Sequence, residues 1–273
     1  MTAQSTLDPA RLSARPAAAG RPLAGAAAAE WTKLWSVRST WWTLFAAVLT
    51  MAATSAQLAI YAQNANTDDD PANNPGVVDV GEIVAGSLEL TQYVVLALGL
   101  FAITSEFATG TIRTTLRCTP SRGRVLAAKA IVVGTVTFGA GLLLGIVGAA
   151  AARPVLGEWG RAPLGGTVAD VVAAAAYLAL IGVLALGLAS ALRGAVLTLT
   201  VLFALLMIVP LSLREPDIAV LTRISDALPG VAGNHFLAGD TTPYPAAVGL
   251  LLLAGWAAAA LLLGRWALGR RDA

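Results

Sequence analysis

The sequence predicts an all-α membrane protein with six transmembrane helices, an N-terminal interfacial amphipathic helix and both termini in the cytoplasm. Two observations lead to this fold class: an apolar composition and a one-sided distribution of charge. Hydrophobic residues make up 57% of the 273 residues and charged residues only 12%, with a mean hydropathy of +0.73. A soluble domain carries about 25% charged residues. This chain therefore has too little charge for a soluble enzyme, a disordered chain or a nucleic-acid-binding protein.

Six stretches with few or no charged residues approach the length of about 20 apolar residues that a bilayer-spanning helix needs. The predicted spans are residues 41–61, 84–105, 128–152, 170–192, 194–213 and 244–266. Together they form a predicted transmembrane domain over residues 40–268. Residues 1–22 are rich in Ala, Pro and Arg without periodicity, which predicts a disordered cytoplasmic tail. Residues 269–273 are expected to form a second cytoplasmic tail.

The charges between the spans predict the orientation. With six spans, 14 of the 18 Lys and Arg residues fall on the side of the termini, together with only 4 of the 16 Asp and Glu residues. Cytoplasmic loops of membrane proteins are enriched in Lys and Arg, so this side is predicted to be cytoplasmic. A wrong number of spans would mix the two sides, so the asymmetry also favours six.

The segment before the first span has its own pattern. Over residues 23–39, Trp31, Leu34 and Trp35 share one helix face, whereas Glu30 and Lys33 lie toward another. Aromatic residues on one face and charges on the other are typical of a helix in the membrane interface, anchored by those three apolar side chains. The alternative is a first span that simply begins early.

The second apolar stretch, from Leu90 to Ser105, is too short to cross the bilayer alone. At 1.5 Å per residue it reaches about 24 Å, against a hydrocarbon core of about 30 Å. The helix is expected to draw in neighbouring residues, which places Glu89 at the outer edge of the membrane. Ionisable residues inside spans are costly and often functional, so Glu89 is a candidate for a translocation path. An interfacial position without a function is the alternative.

Glycines predict several turns and close contacts. Gly110 can end one helix and Thr111 can begin the next. Gly141 and Gly145 form a small-xxx-small pair that lets another helix backbone approach closely; the alternative is that glycine is simply tolerated in a membrane helix. Arg193 and Gly194 leave room only for a tight turn between the fourth and fifth spans. A short amphipathic helix is expected near residues 218–226, before a break at residues 228–230.

The sequence contains no motif for catalysis or for ATP binding. A P-loop needs a Gly-Lys-Ser/Thr run, and the chain has no Gly-Lys dipeptide. With a single Cys and a single His, neither a Cys-based nor a His-pair metal site is expected. We therefore predict no enzyme activity, no metal and no cofactor, and any ATP hydrolysis must occur in another subunit.

Two stretches resemble a known family. The segment SEFATGTIRTTLRCTPSRGRVLAAK resembles the loop between the second and third membrane helices of ABC-2-type transporter permeases. The segment AEWTKLWSVRSTWW is similar to the amphipathic N-terminal helix of bacterial permeases in that family. Cys118 departs from the expected small or aliphatic residue. The resemblance implies that Glu106, Gly110, Thr111 and Arg113 belong to a coupling segment, the cytoplasmic loop 105–129, that faces an ATPase subunit. The alternative is a positively charged loop that only sets the topology. The resemblance also implies an outer re-entrant element before Pro229.

The resemblance implies the permease subunit of an ABC exporter in the bacterial plasma membrane, forming half of the translocation pathway. Its expected partners are an ATP-binding cassette subunit, a second permease chain and the lipid bilayer, but not nucleic acid. An ion-coupled secondary transporter and a non-transporting membrane partner of an ABC system are the alternatives. The scarcity of ionisable residues in the spans argues against ion coupling. A bound ATPase would favour the exporter.

Overall fold

The computed structural model describes residues 22–68, 74–111, 122–216 and 218–270, and nearly all of them are helical. The helices are α1 (Pro22–Ser36), α2 (Arg38–Thr67), α3 (Val80–Thr109), α4 (Arg122–Leu156), α5 (Leu164–Leu192), α6 (Ala195–Arg214), α7 (Ala219–Asp226), α8 (Pro229–Ala238) and α9 (Ala246–Arg270). Helices α2, α3, α4, α5, α6 and α9 are long and apolar enough to cross a membrane. The predicted number of spans is confirmed by these lengths and compositions.

Most spans are longer than their apolar stretches because polar residues cap them or continue them. Helix α3, which the sequence predicts over 84–105, covers 80–109. At its start, an Asp79 carboxylate oxygen accepts a hydrogen bond of 3.0 Å from the backbone N–H of Gly81. At its end, Gly110 adopts the left-handed conformation with φ of 72°. The predicted role of Gly110 as a helix terminator is confirmed.

The N-terminal helix ends earlier than predicted, at Ser36 rather than residue 39. Val37 is extended, with φ −95° and ψ 124°, and α2 begins directly after it. Side chains of α2 bond the last carbonyls of α1: Thr40 Oγ1 donates to Leu34 O at 2.7 Å, and Trp41 Nε1 donates to Trp35 O at 3.3 Å. These bonds satisfy groups that a helix end otherwise leaves open, and they stabilise the break between α1 and α2 at Val37.

Helix α5 lies at the centre of the bundle and packs against α3, α4 and α9. Its side chains Tyr177, Leu178 and Ile181 are fully buried. The predicted close approach at Gly141 is confirmed, because a Cβ there would lie 2.5 Å from Ala175 Cα of α5. The neighbouring Gly145 faces α5 in the same way. These glycines therefore form contacts within the chain, whereas the sequence left open which helix they would face.

The helices define two ends of the bundle. The "α1 end" contains α1, the end of α3, the start of α4, the turn between α5 and α6, and the end of α9. Arg193 forms that turn with φ of 60°, which confirms the predicted tight hairpin. Arg122 at the start of α4 bonds the carbonyl of Leu268 in α9, so the start of α4 and the end of α9 share this end.

The opposite end contains two short strands and two short helices. Strand β1 (Val78–Asp79) pairs in parallel with β2 (Gly160–Arg161), which follows a 3₁₀ turn over Gly157–Trp159. The predicted amphipathic helix near residues 218–226 is confirmed as α7, and Pro229 begins the following helix, α8. Helix α8 packs on α9, α5, α6 and α3, so it lies against the spans rather than free of them.

Candidate functional site

Four charged side chains meet at the α1 end and form what we call the ion cluster: Glu30, Lys33, Glu106 and Lys129. Lys129 Nζ lies 2.5 Å from Glu30 Oε2 and 2.9 Å from Glu106 Oε1. Lys33 Nζ lies 2.8 Å from Glu30 Oε1 and 3.1 Å from Glu106 Oε1. Each lysine thus bridges the same two carboxylates, and the cluster joins α1, α3 and α4.

Lys129 is the buried centre of the ion cluster, with only 1% of its side chain exposed. Besides the two carboxylates, it donates to the carbonyl of Ala102 at 3.0 Å. An ammonium group has three N–H donors, so these acceptors use all of them. A buried charge is tolerated when it is paired and fully hydrogen-bonded, and Lys129 meets both conditions.

Lys33 lies at the edge of the same cluster, with 47% of its side chain exposed. Partial burial disfavours its charge, but the hydrogen bond to Glu30 and the negative charge of Glu106 act in the other direction. The result is a Lys33 pKa above the ordinary lysine value of 10.5. Lys33 is therefore charged at neutral pH and completes a cluster with two positive and two negative groups.

The predicted coupling residues do not all lie in a loop. Glu106 lies inside helix α3 and is 8% exposed, because its carboxylate turns toward the two lysines. Gly110 and Thr111 follow the helix and are exposed. Arg113 lies outside the described residues, as does the short helix predicted over residues 112–116. Residues 110–121 separate α3 from α4 in the sequence.

A cavity of about 530 Å³ opens beside the ion cluster, between α1, α2, α3 and α4. Its apolar lining consists of Leu34, Val37, Leu98, Phe101, Ala102, Val132 and Val133. Its polar lining consists of the four cluster residues with Ser36, Ser39, Thr40, Thr43, Ser105 and Thr111. The volume lies within the range of small-molecule pockets, about 300–1,000 Å³. The cavity is thus large enough for a ligand and has distinct polar and apolar parts.

The predicted anchor residues have separate environments. Trp31 is exposed, whereas Leu34 and Trp35 are half-buried. The ring of Trp35 lies 5.8 Å from that of Trp31 and 4.9 Å from that of Trp41. The charged face of α1 points into the bundle through Glu30, which is 9% exposed. Helix α1 is therefore held to the spans by its charges, while indoles form its outer side.

Glu89 lies near the opposite end, on the exposed surface of α3. Its Oε1 accepts a hydrogen bond of 3.1 Å from Asn234 Nδ2 of α8. One turn further along α3, Gln92 Oε1 accepts a hydrogen bond of 2.5 Å from the hydroxyl of fully buried Tyr177. These polar residues connect α3 with α5 and α8, and they lie far along α3 from Glu106.

Sequence reasoning did not select Lys129 or Glu30 as site residues. One signal could have found them: the chain contains only two lysines, Lys33 and Lys129, against 16 arginines. Both lysines bind the same carboxylates, where a compact ammonium group fits better than a planar guanidinium. Gln92, Tyr177 and Asn234 carried no comparable signal, because isolated polar residues in apolar helices do not reveal their partners.

Within the described residues, no three His, Cys, Asp or Glu side chains come together as metal ligands would. No known protein-family model matches the chain, and none of the curated proteins matches it.

Proposed function

We propose that this chain is the permease subunit of an ABC-type exporter in the bacterial plasma membrane, similar to ABC-2-type permeases. In this proposal it pairs with a second permease chain, and a separate ATP-binding cassette subunit supplies energy. The observation that carries the proposal is the buried ion pair between Glu106 and Lys129, on the two helices that residues 110–121 connect in the sequence. Glu106 Oε1 and Lys129 Nζ of this pair lie 2.9 Å apart.

The charge distribution supports a cytoplasmic position for the α1 end. Among the described residues, Lys33, Lys129, Arg38, Arg122, Arg124, Arg193, Arg265 and Arg270 belong to this end, and Arg153, Arg161, Arg214 and Arg223 to the opposite one. The rule that cytoplasmic loops are rich in Lys and Arg then orients the α1 end inward. An ATPase subunit in the cytoplasm would meet the 110–121 segment there.

The ion cluster offers a route for mechanical coupling. A displacement of segment 110–121 would move the end of α3 and the start of α4. Because Glu106 and Glu30 of α1 both bind Lys129, the displacement would pass to three helices as one unit. Arg193, in the turn between α5 and α6, lies 5.2 Å from the ring of Phe107 and extends the contact to two further spans. In this proposal, Glu106 is a positioning residue, and Thr111 and Arg113 face the ATPase.

The position of Glu89 supports the proposal that this residue belongs to a polar translocation path. It is exposed on a span, and an exposed carboxylate in an apolar environment is costly without a polar partner. Asn234 supplies only one hydrogen bond. A six-helix chain forms half of a pathway, and a second chain would bring another polar surface opposite this carboxylate.

The test begins with purification of the tagged chain from its native membranes in a mild detergent. An ATP-binding cassette protein should copurify, identified by mass spectrometry, and the complex should hydrolyse ATP. The chain alone should neither bind nor hydrolyse ATP. Arg113→Glu should reduce copurification and ATP-driven transport. Arg223→Glu, a charge reversal at the opposite end, is the matched control and should keep both.

The same experiment distinguishes the alternatives. A purified single chain that moves solute along an ion gradient, without response to ATP, would contradict the exporter and favour a secondary transporter. A chain that binds the ATPase but supports no substrate-dependent ATP turnover would favour a non-transporting partner of an ABC system. Equal behaviour of Arg113→Glu and Arg223→Glu would remove segment 110–121 from the coupling interface.

A further inference from the structure

The cavity beside the ion cluster has a polar lining that accepts hydrogen bonds more than it donates them. Lys129 directs its three N–H groups to Glu30, Glu106 and the Ala102 carbonyl. Lys33 already bonds both carboxylates. Oxygen Oε2 of Glu106 is buried and takes no hydrogen bond within the described part of the chain. Among these charged groups, the atom left without a hydrogen bond is therefore a carboxylate oxygen, which is an acceptor.

The hydroxyl groups of the lining add to this bias. Ser36 donates to Lys33 O at 2.8 Å, Thr43 to Ser39 O at 2.8 Å, and Ser105 to Phe101 O at 2.6 Å. A hydroxyl has one hydrogen and two lone pairs. Once its hydrogen is used by a backbone carbonyl, the hydroxyl can offer only acceptor sites to a ligand. A complementary ligand must therefore bring N–H or O–H donors.

The other lining of the cavity is apolar, with Leu98 and Phe101 from α3 and Val132 and Val133 from α4. The indole rings of Trp31 and Trp35 belong to α1 and lie 5.8 Å apart. Tryptophan is enriched at the depth of lipid headgroups. The indoles therefore place the polar part of the cavity near the membrane surface, with its apolar part along the spans.

We propose that this cavity binds an amphiphile whose head is an ammonium group with N–H donors and whose chain lies along α3 and α4. The cluster has no net charge, so it does not repel a cation, and its acceptors match the donors of such a head. In a bilayer, ethanolamine phospholipids have this chemistry, and single-chain alkylammonium compounds share it. The inference goes beyond the proposed exporter, because the site would bind such a molecule whether or not the chain transports.

The preference for a head group with N–H donors is tested with the unmodified chain in maltoside micelles. Dodecylammonium and dodecyltrimethylammonium carry the same charge and the same chain, but only the first has N–H donors. Isothermal titration should show dodecylammonium binding on the order of tenfold more tightly, as expected for a hydrogen bond to a charged group. Equal affinities, or tighter binding of dodecyl sulfate, would overturn the proposal.

The cavity itself is tested with a matched pair of variants on α2. Thr43 lines the cavity, whereas Thr54 does not; both are half-buried, and both hydroxyls donate to a backbone carbonyl at 2.8 Å. Thr43→Phe should fill the cavity and weaken dodecylammonium binding at least tenfold, and Thr54→Phe should leave it unchanged. Equal effects of the two would mean binding to the general lipid-facing surface and would contradict the site. If Thr43→Phe does not fold, the comparison of the two head groups still decides.

Native mass spectrometry of the chain in mixed-lipid nanodiscs distinguishes a membrane lipid from a soluble amphiphile as the ligand. Retention of phosphatidylethanolamine over phosphatidylcholine, lost in Thr43→Phe, would support a membrane lipid as the occupant. Dodecylammonium binding without such lipid retention would support a soluble cationic amphiphile. Absence of both would overturn the proposal.

Discussion

Replacing Lys129 by methionine would remove the centre of the ion cluster while keeping a side chain of similar length. Glu30 and Glu106, each with only 10% of its side chain exposed, would lose their shared buried partner. Breaking a buried ion pair from one side costs about 3–5 kcal/mol, because the remaining charge stays buried. Lys33 would still pair with both carboxylates. We therefore expect the free energy of unfolding to fall by about 3 kcal/mol, the lower end of this range. That loss corresponds to roughly a hundredfold change in the unfolding equilibrium constant.

The assay is reversible unfolding by sodium dodecyl sulfate, followed by tryptophan fluorescence. Lys33→Met is the matched control: its side chain is half exposed and contacts the same carboxylates, so it should cost about 1 kcal/mol or less. Combining Lys129→Met with Glu30→Gln and Glu106→Gln should restore most of the stability by removing the buried charges. A Lys129→Met cost no greater than that of Lys33→Met, or a triple variant no more stable than Lys129→Met, would refute this account of the cluster.

Three further predictions concern packing, hydrogen bonding and orientation. Gly141→Leu should lower the free energy of unfolding by about 1–3 kcal/mol or more, because the larger side chain would overpack the contact with α5. Gly139→Leu should be tolerated, because no neighbouring atom of the described residues lies within 4 Å of the place its Cβ would take. Thermal unfolding of the two variants makes the comparison. Tyr177→Phe should cost about 0.6 kcal/mol, the average for a hydrogen bond between membrane helices, and a cost above about 2 kcal/mol would contradict this origin. In a chain without its native cysteine, Asp240→Cys should react with an impermeant thiol reagent on intact cells and Arg124→Cys only after lysis; the reverse pattern would refute the orientation.

Local sequence patterns predict the spans well because membrane helices satisfy their own backbone hydrogen bonds and need only apolar length. Gly110 ends α3 and Arg193 forms the predicted turn, since both features depend on a few neighbouring residues. The ends of the helices are harder to predict than the apolar spans. Helix α3 begins at Val80, four residues before its predicted start, because a cap at Asp79 rather than apolarity decides where it begins.

The candidate site is only partly predictable. Glu106 is selected by the resemblance to a coupling loop, but its burial and its partners are not foreseen. Thr111 is expected in the coupling segment and also lines the cavity. The charged side of α1 is recognisable from its spacing, yet its contact with the bundle is not. A helical pattern separates the faces of a helix, but it does not reveal which face meets the protein.

The sequence by itself determined the number of apolar helices, the tight turns between them and the unequal charge of their two ends, because each depends on composition within a few residues. Only the tertiary structure decided that both lysines bind the same two carboxylates. Lys129 meets Glu30 across 99 residues of sequence, and Lys33 meets Glu106 across 73. Such pairing depends on how α1, α3 and α4 pack, since the free energy of a buried charge is set by its neighbours in space and not by its neighbours in the chain.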